Sequence, residues 1–168
     1  VWIQMRADGS GYDYISTYVD DFLITAKDPW VHMKRLQKVY MIKDQKVPDV
    51  YLGATYIGNP SGNWSITAKE YIKEAVRQIE KRLEITLREE KTPIKTDDHP
   101  EEDESPILED DMHREYQSLI GMLQWAVSLC RIDICFAVCS LSRFCACPRE
   151  GHFKRALRIW GYLKKYPG

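Results

Sequence analysis

Apolar and β-branched residues fall in short runs over the first third of the chain and at helical spacing over most of the rest. Trp2-Ile3-Gln4-Met5 and Tyr14 to Val19 read as two strands joined by the turn-rich Arg6-Ala7-Asp8-Gly9-Ser10-Gly11, and Phe22 to Thr25 continues as a third. Asp28-Pro29 has the form of a helix cap followed by Pro at the first helical position. It predicts a helix to about Tyr40 that buries Met33, Leu36 and Tyr40. Val50 to Gly58 is another strand, and Asn59-Pro60-Ser61-Gly62-Asn63 is a turn leading to a short one at Trp64 to Ile66.

The period then changes. Thr67-Ala68-Lys69-Glu70 has the form of a capping box, and apolar residues follow at Tyr71, Ile72, Ala75, Val76, Ile79 and Leu83, as an amphipathic helix requires. Thr96 to Asp111 holds nine acids and no Lys or Arg, and reads as a solvated linker. Beyond it, Tyr116 to Leu129 is helical with Leu119, Ile120, Leu123, Ala126 and Val127 inward. Ile132 to Phe144 is apolar on nearly every side and predicts a central buried helix. Pro148 breaks the chain, and Gly151 to Lys165 forms the last helix, with Phe153, Ala156, Leu157, Trp160 and Leu163 facing the core. Strands first and helices afterwards is an α+β pattern.

Charge sharpens this picture. The net charge of −1 conceals the acidic segment, outside which 24 Lys and Arg face 16 acids, a balance compatible with a polyanionic partner. Five cysteines, an odd number crowded between Cys130 and Cys147, do not resemble a secreted disulfide framework and suit free thiols in a reducing, intracellular setting. Nothing reaches the run of about 18 apolar residues that a membrane span needs, so no membrane partner is expected. A zinc site from Cys130, Cys135, Cys139, Cys145, Cys147 and His152 is disfavoured, because no Cys-x-x-Cys pair is present. His32, His99 and His113 read as surface or packing residues.

The chemistry concentrates in Ser16-Thr17-Tyr18-Val19-Asp20-Asp21-Phe22-Leu23-Ile24-Thr25-Ala26. Asp suits turns, and an arbitrary Asp-Asp needs no other reason. Here strand residues flank the pair, which puts Asp20 and Asp21 on a hairpin tip supported by a sheet. Adjacent carboxylates repel, and a divalent cation stabilises both anions, so the tip is a credible Mg²⁺ platform.

These residues resemble the reverse transcriptases of copia-type (Ty1/copia) LTR retrotransposons, whose polymerase signature is Tyr-x-Asp-Asp. Tyr18-Val19-Asp20-Asp21 matches it. Tyr40-Met41-Ile42-Lys43-Asp44 is similar to the family's aromatic-x-apolar-Lys-Asp segment, and Tyr51-Leu52-Gly53 to its aromatic-Leu-Gly strand. Tyr116-Gln117-Ser118-Leu119-Ile120-Gly121 resembles its Tyr-Arg-x-x-x-Gly helix. Arg131-Ile132-Asp133-Ile134-Cys135-Phe136-Ala137-Val138 resembles Arg-Pro-Asp-Ile-x-Phe-Ala-Val. Leu141-Ser142-Arg143-Phe144, Pro148, His152 and Ile159-Trp160-Gly161-Tyr162-Leu163-Lys164 follow in the family's order, so the resemblance spans essentially the whole chain.

The resemblance implies antiparallel palm hairpins of a polymerase-like fold followed by a helical thumb lobe. Residues 1–66 would be the end of the palm, 67–95 the first thumb helix and its following segment, 96–111 the acidic linker, and 112–168 the thumb or connection lobe. It implies RNA-directed DNA synthesis by two-metal nucleotidyl transfer with Mg²⁺, or Mn²⁺ as the alternative. The partners are an RNA or DNA template-primer duplex and a dNTP, and the location a cytoplasmic particle or the nucleus. Asp20 would be the direct metal ligand and Asp21 the second acid. Tyr18 and Val19 would lie near primer and nucleotide, Leu52-Gly53 in the primer-grip strand, and Lys43 near the leaving phosphates or simply on the surface. The family's further aspartate, its fingers and its ribonuclease H region are expected in other parts of a longer polyprotein, leaving this chain inactive alone.

Ile132 in place of the family's proline and the long acidic insert hint at a divergent copy. A non-catalytic nucleic-acid-binding remnant is therefore the alternative. Either reading gives the last helix a role, because Lys154, Arg158 and Lys165 fall close to one line, beside Arg155 and Lys164. That line is also what an ordinary solvated helix face looks like, and Lys73, Arg77 and Lys81 repeat the ambiguity.

Overall fold

The strand-forming runs at the start of the chain build a meander. In the computed structural model, which describes all 168 residues, β1 (Trp2–Met5), β2 (Tyr12–Tyr18) and β3 (Asp21–Thr25) form an antiparallel sheet in that order. Trp2 pairs with Ile15 and Met5 with Tyr12, while Tyr14 pairs with Thr25 and Tyr18 with Asp21. The β1–β2 turn is closed by Arg6 N–H donating to the Gly11 carbonyl at 2.9 Å. Asp28 caps α1 (Pro29–Leu36), its carboxylate accepting from Trp30 N–H at 3.1 Å. The helix is a turn shorter than expected. Tyr40 packs its ring 6.3 Å from that of Phe22 and stays 56% exposed, because it sits where the small sheet ends.

His32, on α1, is buried, and its Nε2 lies 2.8 Å from Asp13 Oδ2 on β2. Arg6 Nε donates to the other oxygen of Asp13 at 2.7 Å. These hydrogen bonds, Arg6 first, hold the Asp13 carboxyl below its ordinary range. His32, read from the sequence as a surface or packing residue, is thus a buried one with a specific carboxylate partner. The first compact unit, Val1–Tyr51, ends in the two-residue strand β4 (Val50–Tyr51).

The second unit, Leu52–Gly168, begins with a turn where a continuous strand was expected. Leu52 (φ 52°) and Gly53 (φ 83°) both take left-handed backbone, a conformation that glycine tolerates and leucine rarely adopts. A Cβ on Gly53 would meet Tyr71, Trp125 and Leu129, so the turn is packed against the helices. Strands β5 (Ala54–Gly58) and β6 (Trp64–Thr67) form the hairpin that follows, with Thr55 opposite Thr67 and Gly58 opposite Trp64. This hairpin packs on α2 (Lys69–Leu83) and belongs with the helices, which moves the boundary from residue 66 to residue 51.

Four helices make the core: α2, α3 (Asp110–Ser128), α4 (Cys135–Ser142) and α5 (Glu150–Lys165). Ile72, Ile79, Tyr116, Leu119, Leu123, Ile134, Trp160 and Leu163 are fully buried among them. Tyr116 keeps its hydroxyl satisfied in this core by donating to the Leu141 carbonyl at 2.7 Å. The capping box expected at Thr67 does not form. Thr67 Oγ1 accepts from Lys69 N–H at 3.2 Å, whereas Glu70 turns to Lys73 at 2.9 Å. Nor is α4 buried on every side. Ala137, Val138 and Leu141 face the core, while Phe136 on the helix and Ile132 in the 3-10 turn (Ile132–Ile134) that precedes it are about three-quarters exposed.

Gly161 allows a close crossing. Glu90 N–H donates to its carbonyl at 3.2 Å, and a Cβ there would overlap the Arg88 carbonyl oxygen. Gly161→Ala is expected to cost about 1–3 kcal/mol, the range for overpacking a filled site, read as a lower urea midpoint. An unchanged midpoint would mean that the segment carrying Arg88 can back away freely. No helix is long and apolar enough to cross a membrane.

Candidate functional site

Tyr18 and Asp21 face one another across β2 and β3, which leaves Val19 and Asp20 as a two-residue loop. Val19 has φ 51°, an outlier for a β-branched residue, and its side chain is exposed. Backbone held this way is sustained by its surroundings and concentrates at functional positions. The hairpin register places Asp21 on the same sheet face as Tyr18, and Asp20 projects from the loop itself. Neither carboxylate has a hydrogen-bond or ion-pair partner, and both are exposed. Two unpartnered hard-oxygen donors suit Mg²⁺, which commonly takes one or two carboxylates and completes its octahedron with water and substrate phosphate. No group of three or more His, Cys, Asp or Glu side chains anywhere in the chain is placed to hold a metal ion.

Of the other expected site residues in the first unit, Tyr18 is half exposed and Lys43 lies exposed in an irregular segment without an ion pair. Leu52 and Gly53 are in a turn of the second unit rather than in a strand, as described above.

The basic line on α5 is largely engaged within the molecule. Arg155 Nε donates to Asp98 Oδ1 at 2.8 Å, and its Nη1 pairs with Asp103. Arg158 Nη1 lies 2.8 Å from Glu90, and Lys164 Nζ 2.7 Å from Glu80. Lys154 is exposed, 3.6 Å from Glu150, and Lys165 Nζ sits 5.5 Å from the centroid of the Tyr166 ring. On α2, Lys73 pairs with Glu70 and Arg77 with Glu74, leaving Lys81 unpaired.

Both partners of Arg155 come from the stretch expected to be a solvated linker, and that expectation is corrected. Residues 97–109 form a docked strap with a 3-10 turn at Pro100–Glu102. The Ser105 hydroxyl accepts from Gly151 N–H at 2.8 Å, Leu108 N–H donates to the Pro148 carbonyl at 3.0 Å, and Ile107 bridges Arg149. Arg149 N–H donates to His152 Nδ1 at 3.1 Å, so His152 carries its proton on Nε2, 2.8 Å from the Pro100 carbonyl. Burial raises the Asp103 carboxyl, but hydrogen bonds from Ser105 and Arg155 outweigh it and hold the group at about 2. Nothing in the local sequence marks Asp98 and Asp103 out from their acidic neighbours.

Further contacts involve residues that the sequence marked only as surface, packing or motif positions. His113 is hydrogen-bonded, its Nε2 lying 2.7 Å from the Cys145 carbonyl, and His99 Nδ1 lies 3.2 Å from Glu101. Arg131 and Asp133, noted only as part of a motif, form a bidentate pair at 2.9 and 2.7 Å. Arg131 also donates to the Tyr166 carbonyl at 2.6 Å and Tyr162 OH donates to Asp133 at 2.9 Å, stapling the entry of α4 to the end of α5. The five cysteines are free.

Comparison with known proteins gives two informative likenesses. The chain is 32% identical over 164 residues to a transposon Ty5-1 protein of Saccharomyces cerevisiae, covering 96% of this chain and 52% of that protein. It is 29% identical over 162 residues to a retrovirus-related Pol polyprotein from transposon RE1 of Arabidopsis thaliana, covering 95% of this chain and 11% of that one. The chain is therefore related to retrotransposon polyproteins and spans about half, or a tenth, of the relatives it matches. No family model and no solved structure matches it significantly.

Proposed function

We propose that the Tyr18–Asp21 hairpin contributes the carboxylates of a nucleotidyl-transfer site in a copia-type RNA-directed DNA polymerase, working within a longer retrotransposon polyprotein. The observation that carries this reading is the pair of exposed, unpartnered carboxylates at one hairpin, Asp20 in its two-residue turn and Asp21 on the first position of the strand that follows, with the register of the strands fixed. Asp20, projecting from the loop, is the direct metal ligand. Asp21, on the strand, is the second acid, and because successive side chains on a strand diverge the two have unequal roles. Tyr18 stands directly opposite Asp21, at a Cβ separation of about 4.5–5.5 Å for such pairs, and its exposed ring is available to primer or nucleotide. Asp20 and Asp21 would hold Mg²⁺, whose charge would favour the deprotonated primer 3′-hydroxyl and neutralise the departing pyrophosphate. Template-primer duplex and dNTP are the substrates, and the remaining acid ligand and the fingers come from other parts of the polyprotein.

The alternative, a non-catalytic module that grips nucleic acid through the α5 row, is weakened by the engagement of Arg155, Arg158 and Lys164 in internal ion pairs. Primer extension by a polyprotein containing this segment separates the two readings. Extension that requires Mg²⁺ or Mn²⁺ and stops on chelation is expected. A polyprotein with Asp20 and Asp21 intact that extends nothing in either metal would sink the proposal.

A further inference from the structure

Helix α4 turns two cysteines away from the core. Cysteine is among the residue types most often buried, and in an apolar run Cys135 and Cys139 have the look of small core residues. The fold gives the core to Ala137, Val138 and Leu141 instead, and leaves Cys135 half-buried and Cys139 exposed. Both are free thiols. They stand four residues apart on one helix, which stacks them on the same face with Cβ atoms about 5–6 Å apart. Their sulfurs face one another, because a hydrogen bond with the Cys139 thiol is the first cause that pushes the Cys135 thiol above its ordinary range.

That separation decides what the pair can do. A disulfide requires Cβ atoms about 3.5–4.5 Å apart, closer than an intact helical turn allows. Two metal–sulfur bonds of about 2.3 Å in line hold the sulfurs about 4.6 Å apart, which the turn does allow. A soft, closed-shell monovalent ion takes two thiolates in this way, and thiolate ligands select Cu(I). Zn²⁺ needs four ligands, and no group of three or more donor side chains is present to begin such a set. Two thiolates on a monovalent ion leave one negative charge. Arg143, exposed at the end of α4, stands one turn beyond Cys139 on the same line. Cys139 and Arg143 both line a groove of about 470 Å³ beside the strap, where Phe136 adds apolar wall. The guanidinium offsets the charge of the complex, and the groove gives the ion access to it.

We infer that Cys135 and Cys139 form a two-coordinate site for a soft monovalent metal ion of the Cu(I) class. Binding releases one proton from each thiol to solvent and forms two metal–sulfur bonds, with no change of oxidation state. Affinity therefore rises with pH. Every residue involved lies in Leu52–Gly168, so the inference is independent of the hairpin proposal.

The reduced 168-residue chain is titrated without oxygen against Cu(I) held by a coloured chelator, and the metal withdrawn is read from the loss of colour. The parent should withdraw a single equivalent at any protein concentration, as a site within one chain requires. Loss of an outer-shell partner alone costs a metal site about 10–100-fold, so Cys135→Ser and Cys139→Ser should each weaken binding about 100-fold or more. Serine is close to cysteine in shape and neither position faces the core, so both variants should keep the parent's urea midpoint. A Cys130→Ser/Cys147→Ser control, which removes two other exposed thiols, should bind as the parent does. The inference is overturned if the parent withdraws no Cu(I), if the control loses as much affinity as the single variants, or if an equal concentration of Zn²⁺ displaces the bound Cu(I).

Discussion

Asp20→Asn is expected to abolish primer extension by a polyprotein that carries this segment, while leaving its fold intact. Asparagine has the same shape as aspartate and is at home in turns, so the two-residue loop between β2 and β3 should survive. The charge that attracts the cation is gone. Metal catalysis of this kind stabilises transition-state charge by several kcal/mol, and each 1.36 kcal/mol is a factor of ten, so a fall of about 10²- to 10³-fold is expected in single-turnover extension. Asp21→Asn should lose less, because Asp21 lies on the strand opposite Tyr18 rather than in the loop. Equal losses would make both residues ligands of one kind. An Asp20→Asn protein that keeps more than about a tenth of the parent rate would remove Asp20 from the chemistry.

Arg155→Ala should cause the largest loss of stability that a single charge can cause in this chain. The guanidinium lies between Asp98 and Asp103, which are only 11% and 8% exposed. Removing it leaves two nearly buried carboxylates facing one another without a counter-charge. Breaking such a pair costs about 3 kcal/mol at the lower end of the known range, and for a chain of this size the melting temperature falls by about 10 °C. Arg155→Lys should restore only part of this, since an ammonium cannot present a fork to two acceptors at once. A melting temperature within about 2 °C of the parent would show that the strap is held by its backbone bonds instead.

The same pair sets a pH dependence. Asp103 is held at about 2 against an ordinary 3.8, so its contribution to stability is complete above the ordinary value and is lost as pH falls toward 2. The gap between parent and Arg155→Ala should therefore be constant from neutral pH to about 5 and narrow below 4.

The two proposals differ in how far they could be read without a structure. The hairpin tip was almost fully legible. Apolar and β-branched residues flank it and the adjacency of Asp20 and Asp21 is a covalent fact, but the register, which puts Val19 in the turn and Asp21 on the strand, was one residue away from that expected. The helix faces of α2, α3 and α5 were legible too, since Ile72, Leu119 and Trp160 follow helical spacing into the core. The extent of burial on α4 was not. An apolar helix is covered only where neighbours exist, and those of α4 leave Phe136 in solvent, as Ile132 is in the turn before it. The strand expected through Leu52-Gly53 failed for a related reason, because its turn is packed against Tyr71, Trp125 and Leu129 from distant helices.

By itself, the sequence determined most of the strands and helices and that two adjacent carboxylates lie at one hairpin, because those features depend on neighbours a few positions apart. Only the tertiary structure decided which charges are free. Arg155 reaches Asp98 and Asp103 across 57 and 52 residues of chain, and Lys164 reaches Glu80 across 84. Ion pairing depends on distance in space, and no local pattern distinguishes a lysine or arginine that is already paired from one, such as Lys95, that has no ion-pair partner.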